Sequence, residues 1–215
     1  MKKSYIHQRF HPKLDRPIFI EGLPGFGNVG KITAQLLIKF SEAKLFAEYY
    51  SPFFPDYVVL SNHGICSPPR YEFYAPPSGN KLSVVVLTGD SQPPLDNVLA
   101  HYEICEEVLD FVQKLGCNFV VTVGGVPVSS EKKDVYVATT SNELAAEVME
   151  KGGIIYRQGR IMGATGLLLG LAKERGWNGF CLLGATSGLR SDKDAGFAVF
   201  KLLMKALGQE VQQAL

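Results

Sequence analysis

The residues Gly25-Phe26-Gly27-Asn28-Val29-Gly30 place three glycines at the G-x-G-x-x-G spacing. Between a strand and a helix, that spacing lets backbone N–H groups and the helix dipole hold a pyrophosphate. A dinucleotide site also needs an acid ending the second strand, about twenty residues further on. Glu48 stands near that distance, but Tyr49-Tyr50-Ser51-Pro52 follows it. The same segment nearly spells a phosphate-binding P-loop, with Gly25, Gly30 and Lys31 in place. Ile32, however, occupies the position whose hydroxyl would hold Mg²⁺, and Thr33 comes one residue late. Asp90, separated from its strand by Gly89, is only a loose match to a metal-holding acid. The steric alternative is that these glycines let the turn pass close to neighbouring strands and let the helix pack down.

Other candidates for chemistry are sparse. Ala185-Thr186-Ser187-Gly188 departs from the hydrolase elbow G-x-S-x-G, with Ala185 at its first glycine and Leu189 at its last. The histidines are His7, His11, His63 and His101, and none stands beside a recognisable nucleophile. His7 and His11 lack a third ligand and precede Pro12, so they read as part of a solvated arm. His101 reads as a surface or half-buried residue of a helix. Glu21 ends the first long apolar strand, where it can serve as a catalytic carboxylate or cap backbone N–H groups of the turn. No second acid or base is paired with it, which favours capping. The Pro- and aromatic-rich loops hold Phe53, Phe54, Tyr71, Phe73 and Tyr74; these rings either form a protein interface or close over the core.

Positioning these residues requires alternating strands and helices. Pro17-Ile18-Phe19-Ile20 is a buried strand by its short apolar run, and Val29, Ile32, Leu36, Leu37 and Phe40 recur at helical spacing after the turn. Short strands are expected at 45–50 and 57–60, and a hairpin at 70–74 and 82–88 around Pro76-Pro77-Ser78-Gly79-Asn80. A helix beginning at Pro94 would carry the stripe Leu95, Val98, Leu99, Tyr102, Cys105, Leu109 and Val112, with Gly116 as its C-cap. Strands follow at 118–123 before Gly124-Gly125, at 134–139 and at 180–183. Thr140 and Glu143 have capping-box spacing for a short helix, a further helix covers about 164–175, and Ser191 and Asp194 open a last helix. This alternation predicts an α/β fold with a mixed, mostly parallel sheet and helices on both faces.

Composition narrows the function. With 215 residues, 46% of them apolar, the chain can bury a full core as one domain. The 22 Lys+Arg balance 21 Asp+Glu, leaving no net field to attract nucleic acid or an acidic membrane. Four widely spaced cysteines without C-x-x-C read as reduced thiols of a cytoplasmic protein. The N-terminus lacks a signal-peptide stretch, and the most apolar run, 161–172, is too short to span a bilayer.

The ordered set Gly22-Leu23-Pro24-Gly25-Phe26-Gly27-Asn28-Val29-Gly30, Val121-Thr122-Val123-Gly124-Gly125, Gly159-Arg160-Ile161-Met162-Gly163 and Cys181-Leu182-Leu183-Gly184-Ala185-Thr186 resembles the PAC2 family of proteasome assembly chaperone relatives, its archaeal members above all. The resemblance extends from about residue 17 to 208. It implies a three-layer α/β sandwich similar to nucleoside phosphorylase and hydrolase-like folds, in one domain over 1–215 with a polar arm (1–16) and a short tail (209–215). It further implies a cytoplasmic, homo-oligomeric chaperone that binds proteasome α subunits or a related chaperone, without nucleotide hydrolysis, catalytic residues, cofactor or metal. Relatives that dock on the α ring often end in a hydrophobic residue, a tyrosine and one more residue. Here Ala214 stands where that tyrosine would be, leaving docking by another surface, a shortened C-terminus or no α-ring binding as alternatives. The rival function is a nucleotide- or nucleoside-binding protein or enzyme. Its candidate pocket at the strand C-terminal ends would use Phe26, Asn28, Gly124, Gly125, Thr186 and Ser187, while the candidate protein interface is Phe53, Phe54, Tyr71, Phe73 and Tyr74.

Overall fold

A computed structural model describes residues 1–128, 132–157 and 159–211. The last tail residues, including Ala214 and Leu215, lie outside the described residues. Eleven strands and five α-helices occur among those described. In chain order they are β1 (Tyr5–Gln8), β2 (Ile18–Glu21), α1 (Val29–Phe40), β3 (Lys44–Tyr50), β4 (Val59–Leu60), β5 (Cys66–Ser67), β6 (Tyr71–Ala75) and β7 (Val84–Gly89). Then come α2 (Val98–Lys114), β8 (Phe119–Pro127), β9 (Val135–Thr139), α3 (Asn142–Glu150), β10 (Ile154–Ile155), α4 (Gly163–Glu174), β11 (Asn178–Thr186) and α5 (Lys193–Ala206).

Nine strands form one sheet in the order β1-β3-β6-β7-β2-β8-β11-β9-β10, with β4 and β5 as a separate pair. The expectation of a mostly parallel sheet is corrected to an evenly mixed one. The central run β7-β2-β8-β11 and the outer pair β9-β10 are parallel. The β1-β3-β6-β7 half and the β9-β11 pair are antiparallel. The expected β6–β7 hairpin forms, and it extends through β3 and β1 because residues 5–8 of the expected polar arm pair with β3. Tyr5 stacks on Tyr50 at 5.2 Å, and Arg9 donates to Glu48 Oε2 at 2.9 Å.

Period-two alternation sends side chains of each central strand into two separate cores. Phe19, Val85, Leu87, Val120 and Cys181 pack with Ile104, Val108 and Leu168 of α2 and α4. Ile20, Val84, Val86, Val121 and Leu182 pack with Leu37, Val148, Val199 and Phe200 of α1, α3 and α5. Helices thus cover both faces of the sheet.

Several boundaries move for identifiable reasons. β8 and β11 run to Pro127 and Thr186 in continuous parallel register, so Gly124-Gly125 and Gly184 lie inside strands rather than ending them. A Cβ on Gly125 would stand 2.3 Å from the Phe26 carbonyl oxygen, and one on Gly184 would stand 2.9 Å from Val199. Close approach explains these glycines. The α3 cap is Ser141, which accepts from the Leu144 N–H, because the Thr140 hydroxyl is engaged by Gly179 of β11. Asp192, rather than Ser191 or Asp194, caps α5 by accepting from the Ala195 N–H.

The largest correction concerns α2. It starts at Val98, with the Asn97 side chain accepting from the Ala100 N–H, not at Pro94. Its buried face is Ala100, His101, Ile104, Cys105, Val108, Leu109 and Val112, rotated about a quarter-turn from the expected stripe at 3.6 residues per turn. Leu95, Val98, Leu99 and Tyr102 are therefore exposed, Leu95 by 77%. His101, expected at the surface or half-buried, is buried, and neither ring nitrogen has a hydrogen-bond partner among the described residues.

Candidate functional site

The glycine-rich turn owes its shape to backbone that only particular residues accept. Gly27 (φ 60°) and Asn28 (φ 51°) are consecutive left-handed residues, a conformation that glycine and asparagine tolerate best. Gly22 and Gly30 are needed for a different reason. A Cβ at Gly22 would lie 2.4 Å from the Gly30 carbonyl oxygen, and one at Gly30 would lie 2.5 Å from that of Val123. Gly25 has nothing within 4 Å of its notional Cβ. The motif therefore seats α1 against β2 and β8, with Gly25 alone facing open space. Asn28 Nδ2 donates to Ser191 Oγ at 3.0 Å, tying the turn to the entrance of α5.

Beside this turn, at the C-terminal ends of β2, β8 and β11, lies a cleft of about 680 Å³. That is the size range of small-molecule sites. The loop at 90–95 and the first turn of α4 close its other sides. Gln92 braces these walls, donating to the Pro24 carbonyl at 2.7 Å and accepting from the Ala164 N–H at 2.9 Å. Of the residues named from the sequence for a pocket, Phe26, Asn28, Gly124 and Gly125 are among those lining the cleft. Thr186 is wholly buried and spends its hydroxyl on the Gly188 N–H; neither it nor Ser187 is part of the lining. Sequence reasoning missed Tyr156, Met162 and Thr165, which arrive from the chain around α4. The Gly159–Gly163 motif was the only signal for them.

The carboxyl of Glu21 sits behind the cleft wall. It is fully buried, and its Oε1 accepts from the Leu23 N–H at 3.0 Å, the capping role expected of it. Thr165 Oγ1 lies 3.4 Å from the same oxygen. Oε2 has no hydrogen-bond partner among the described residues, nor has the neighbouring Thr122 Oγ1 or the Tyr71 hydroxyl. Burial lifts the carboxyl from its ordinary 4.5 to about 7, against the opposing pull of the Leu23 N–H, the Thr165 hydroxyl and the Val123 N–H. Burial likewise raises Tyr71 and Cys105, and pushes Cys181 to about 12. Glu21 is thus the member of this cluster that titrates near neutrality.

The candidate interface rings divide unevenly. Tyr71, Phe73 and Phe54 belong to the core shared with α2, and Phe54 packs 4.8 Å from Tyr71. Phe53 and Tyr74 are half-buried. For most of this set the core-closing alternative holds. Exposed apolar side chains near the cleft and the first turn of α2 are instead Phe26, Leu95, Val98, Leu99, Met162 and Leu189, while others, Tyr57, Val58, Leu60 and Ile65 among them, lie around β4 and β5. Phe26, Leu95 and Met162 line the cleft, and Leu189 follows Gly188, also a lining residue. All four cysteines are free, Cys66 exposed and the others buried. No helix among the described residues is long and apolar enough to cross a membrane.

Comparison with known proteins sets this geometry in context. The crystal structure of Pyrococcus furiosus PbaB, described as an archaeal proteasome activator, is 38% identical and superposes with a TM-score of 0.92, covering 99% of this chain and 92% of PbaB. Pyrococcus furiosus PbaA, described as an archaeal homologue of proteasome-assembly chaperone, is 29% identical with a TM-score of 0.80, over 96% of this chain and 83% of PbaA. An uncharacterised Methanocaldococcus jannaschii protein, MJ1210, is 35% identical over 202 residues, 92% of this chain and 76% of its own. The PAC2 family model spans residues 19–214, taking in the turn, both glycine-bearing strands and α4, and the chain is a member of the PAC2 family.

Proposed function

We propose that this chain is a proteasome assembly chaperone-like protein that binds proteasome α subunits and assists their assembly. The observation that carries this reading is the 38% identity and 0.92 TM-score to an archaeal proteasome activator over 99% of the chain. The chaperone acts as a single-domain, homo-oligomeric, cytoplasmic protein, with the three-layer, nucleoside phosphorylase-like arrangement implied by its family. It works by equilibrium binding, without catalysis: it shields apolar surface on an assembly intermediate and leaves when the correct subunit buries that surface better.

The exposed apolar residues at the cleft mouth and on the first turn of α2 support a protein-binding surface, because contiguous apolar exposure marks interaction sites more often than isolated residues do. Their place outside the folded core frees them for contact. The test mixes purified chain with α subunits and follows complex formation and ring assembly by light scattering. Co-elution and a changed assembly course support the reading; no association and no change remove it.

A further inference from the structure

The cleft has a polarity that neither a nucleotide nor a flat protein contact explains. Its walls are mostly apolar, with Leu23, Phe26, Ile161 and Met162 among them, and the charged residue types lining it among the described residues are Asp90 and Arg160. A single exposed arginine is a poor match to a di- or triphosphate, which needs several converging cations or N–H groups. Deep in the wall, Thr165 both lines the cleft and reaches the buried Glu21 carboxyl. With its proton directed at Glu21, the Thr165 oxygen keeps its lone pairs for a donor in the cleft. Gly124 keeps the approach open, since a Cβ there would come within 3.2 Å of Thr165 Cγ2. The geometry points to a binding site for a small, largely apolar molecule with a neutral or cationic hydrogen-bond donor at one end, received by Thr165 and stabilised through the Glu21 carboxylate.

Tyr71 on β6, Cys105 on α2, Cys181 on β11, Thr122 on β8 and Thr165 on α4 surround Glu21. The three titratable neighbours are all raised away from neutrality. A donor binds the carboxylate form better than the acid. With the carboxyl titrating at about 7, the ionised fraction rises roughly tenfold between pH 6 and pH 8. Affinity should follow it.

Three probes with one apolar body separate the possibilities: naphthylmethanol, naphthylmethylamine and naphthoate, titrated into the intact chain by calorimetry. The alcohol and the amine are expected to bind saturably, and naphthoate at least tenfold more weakly. Affinity for the alcohol, which has no titrating group of its own, should rise about tenfold from pH 6 to pH 8 in the parent chain. Glu21→Gln should abolish that rise. Thr165→Val, which removes the hydroxyl while keeping the shape, should weaken alcohol binding several-fold and serves on its own if Glu21→Gln does not fold. The inference is overturned if neither donor probe binds saturably, if naphthoate binds as well as the alcohol, or if Thr165→Val leaves alcohol affinity unchanged.

Discussion

A methyl group added at Gly30 would press on two carbonyl oxygens, those of Val123 and Leu23, at 2.5 and 2.7 Å. Backbone at both contacts leaves no flexible side chain to yield. Gly30→Ala should therefore cost about 3 kcal/mol or more of stability, at the upper end of overpacking penalties. Gly25→Ala, whose methyl meets nothing, should stay within about 0.5 kcal/mol. Denaturant unfolding of the two variants checks the contrast, and equal losses would contradict the packing account of the turn. Glu21 gives a prediction in pH. Its folded-state value lies above the ordinary 4.5, so the folded chain holds the proton more tightly than the unfolded one. The associated stability is fully present below about pH 4.5 and is lost as pH rises through about 7. The loss amounts to roughly 3 kcal/mol at 1.36 kcal/mol per unit. The difference in unfolding free energy between the parent and Glu21→Gln should shift by that order between pH 4.5 and 8, in favour of the variant at high pH. At this scale the Glu21 cap was legible because its donor, Leu23, is a neighbour in the chain, whereas the close approaches that the turn's glycines allow involve residues far away in sequence, such as Val123 against Gly30. The unpartnered Oε2 was not legible, because the burial that leaves it without a partner is imposed by other elements, with Thr165 of α4 on the Oε1 side.

The outer strands show where local pattern stops being informative. Residues 5–8 look polar because β1 lies at the sheet edge with three of its four residues exposed, so they lack the apolar run that marks a strand. What holds β1 is its ladder to β3, the Tyr5–Tyr50 stack and the Arg9–Glu48 pair. Glu48 also receives Arg70 at 3.1 Å and is only 7% exposed at its side chain, so it joins β1 to β6 across β3. Glu48→Ala should destabilise the chain by about 1–3 kcal/mol, as expected when one partner of a mostly buried charged network is removed. It should also raise amide exchange in Tyr5–Gln8 before exchange in β2 or β8. Uniform change across the sheet would count against this role. The quarter-turn rotation of α2 has a related cause. Apolar residues on both sides of its first turn give two helical stripes, and only packing against the sheet and α4 selects between them. α4 itself was easy to place, although its position as a wall of the cleft depends on Gln92, 72 residues away from Ala164 in the chain.

At the scale of the whole molecule, two separate cores back the nine-stranded sheet, and several exposed apolar residues, Phe26, Leu95 and Met162 among them, line the cleft at the C-terminal ends of its central strands. The alternating strands and helices were readable from periodicity, since burial on both faces imposes it. The evenly mixed character of the sheet was not, because strand order depends on contacts far apart in sequence. Val98 and Leu99 are exposed on the first turn of α2, so the double variant Val98→Asp, Leu99→Glu should change stability by no more than about 1 kcal/mol, about 0.5 per surface site. If this surface docks a protein partner, the same variant should weaken that association at least tenfold, read by titration of the partner.

Association of the intact chain with proteasome α subunits, followed by size-exclusion chromatography with light scattering, tests the central claim most directly. The account predicts a defined complex containing both proteins and an altered course of α-subunit assembly, each reduced by the Val98→Asp, Leu99→Glu pair. Separate elution of the two proteins at all concentrations, with assembly unchanged, would contradict it.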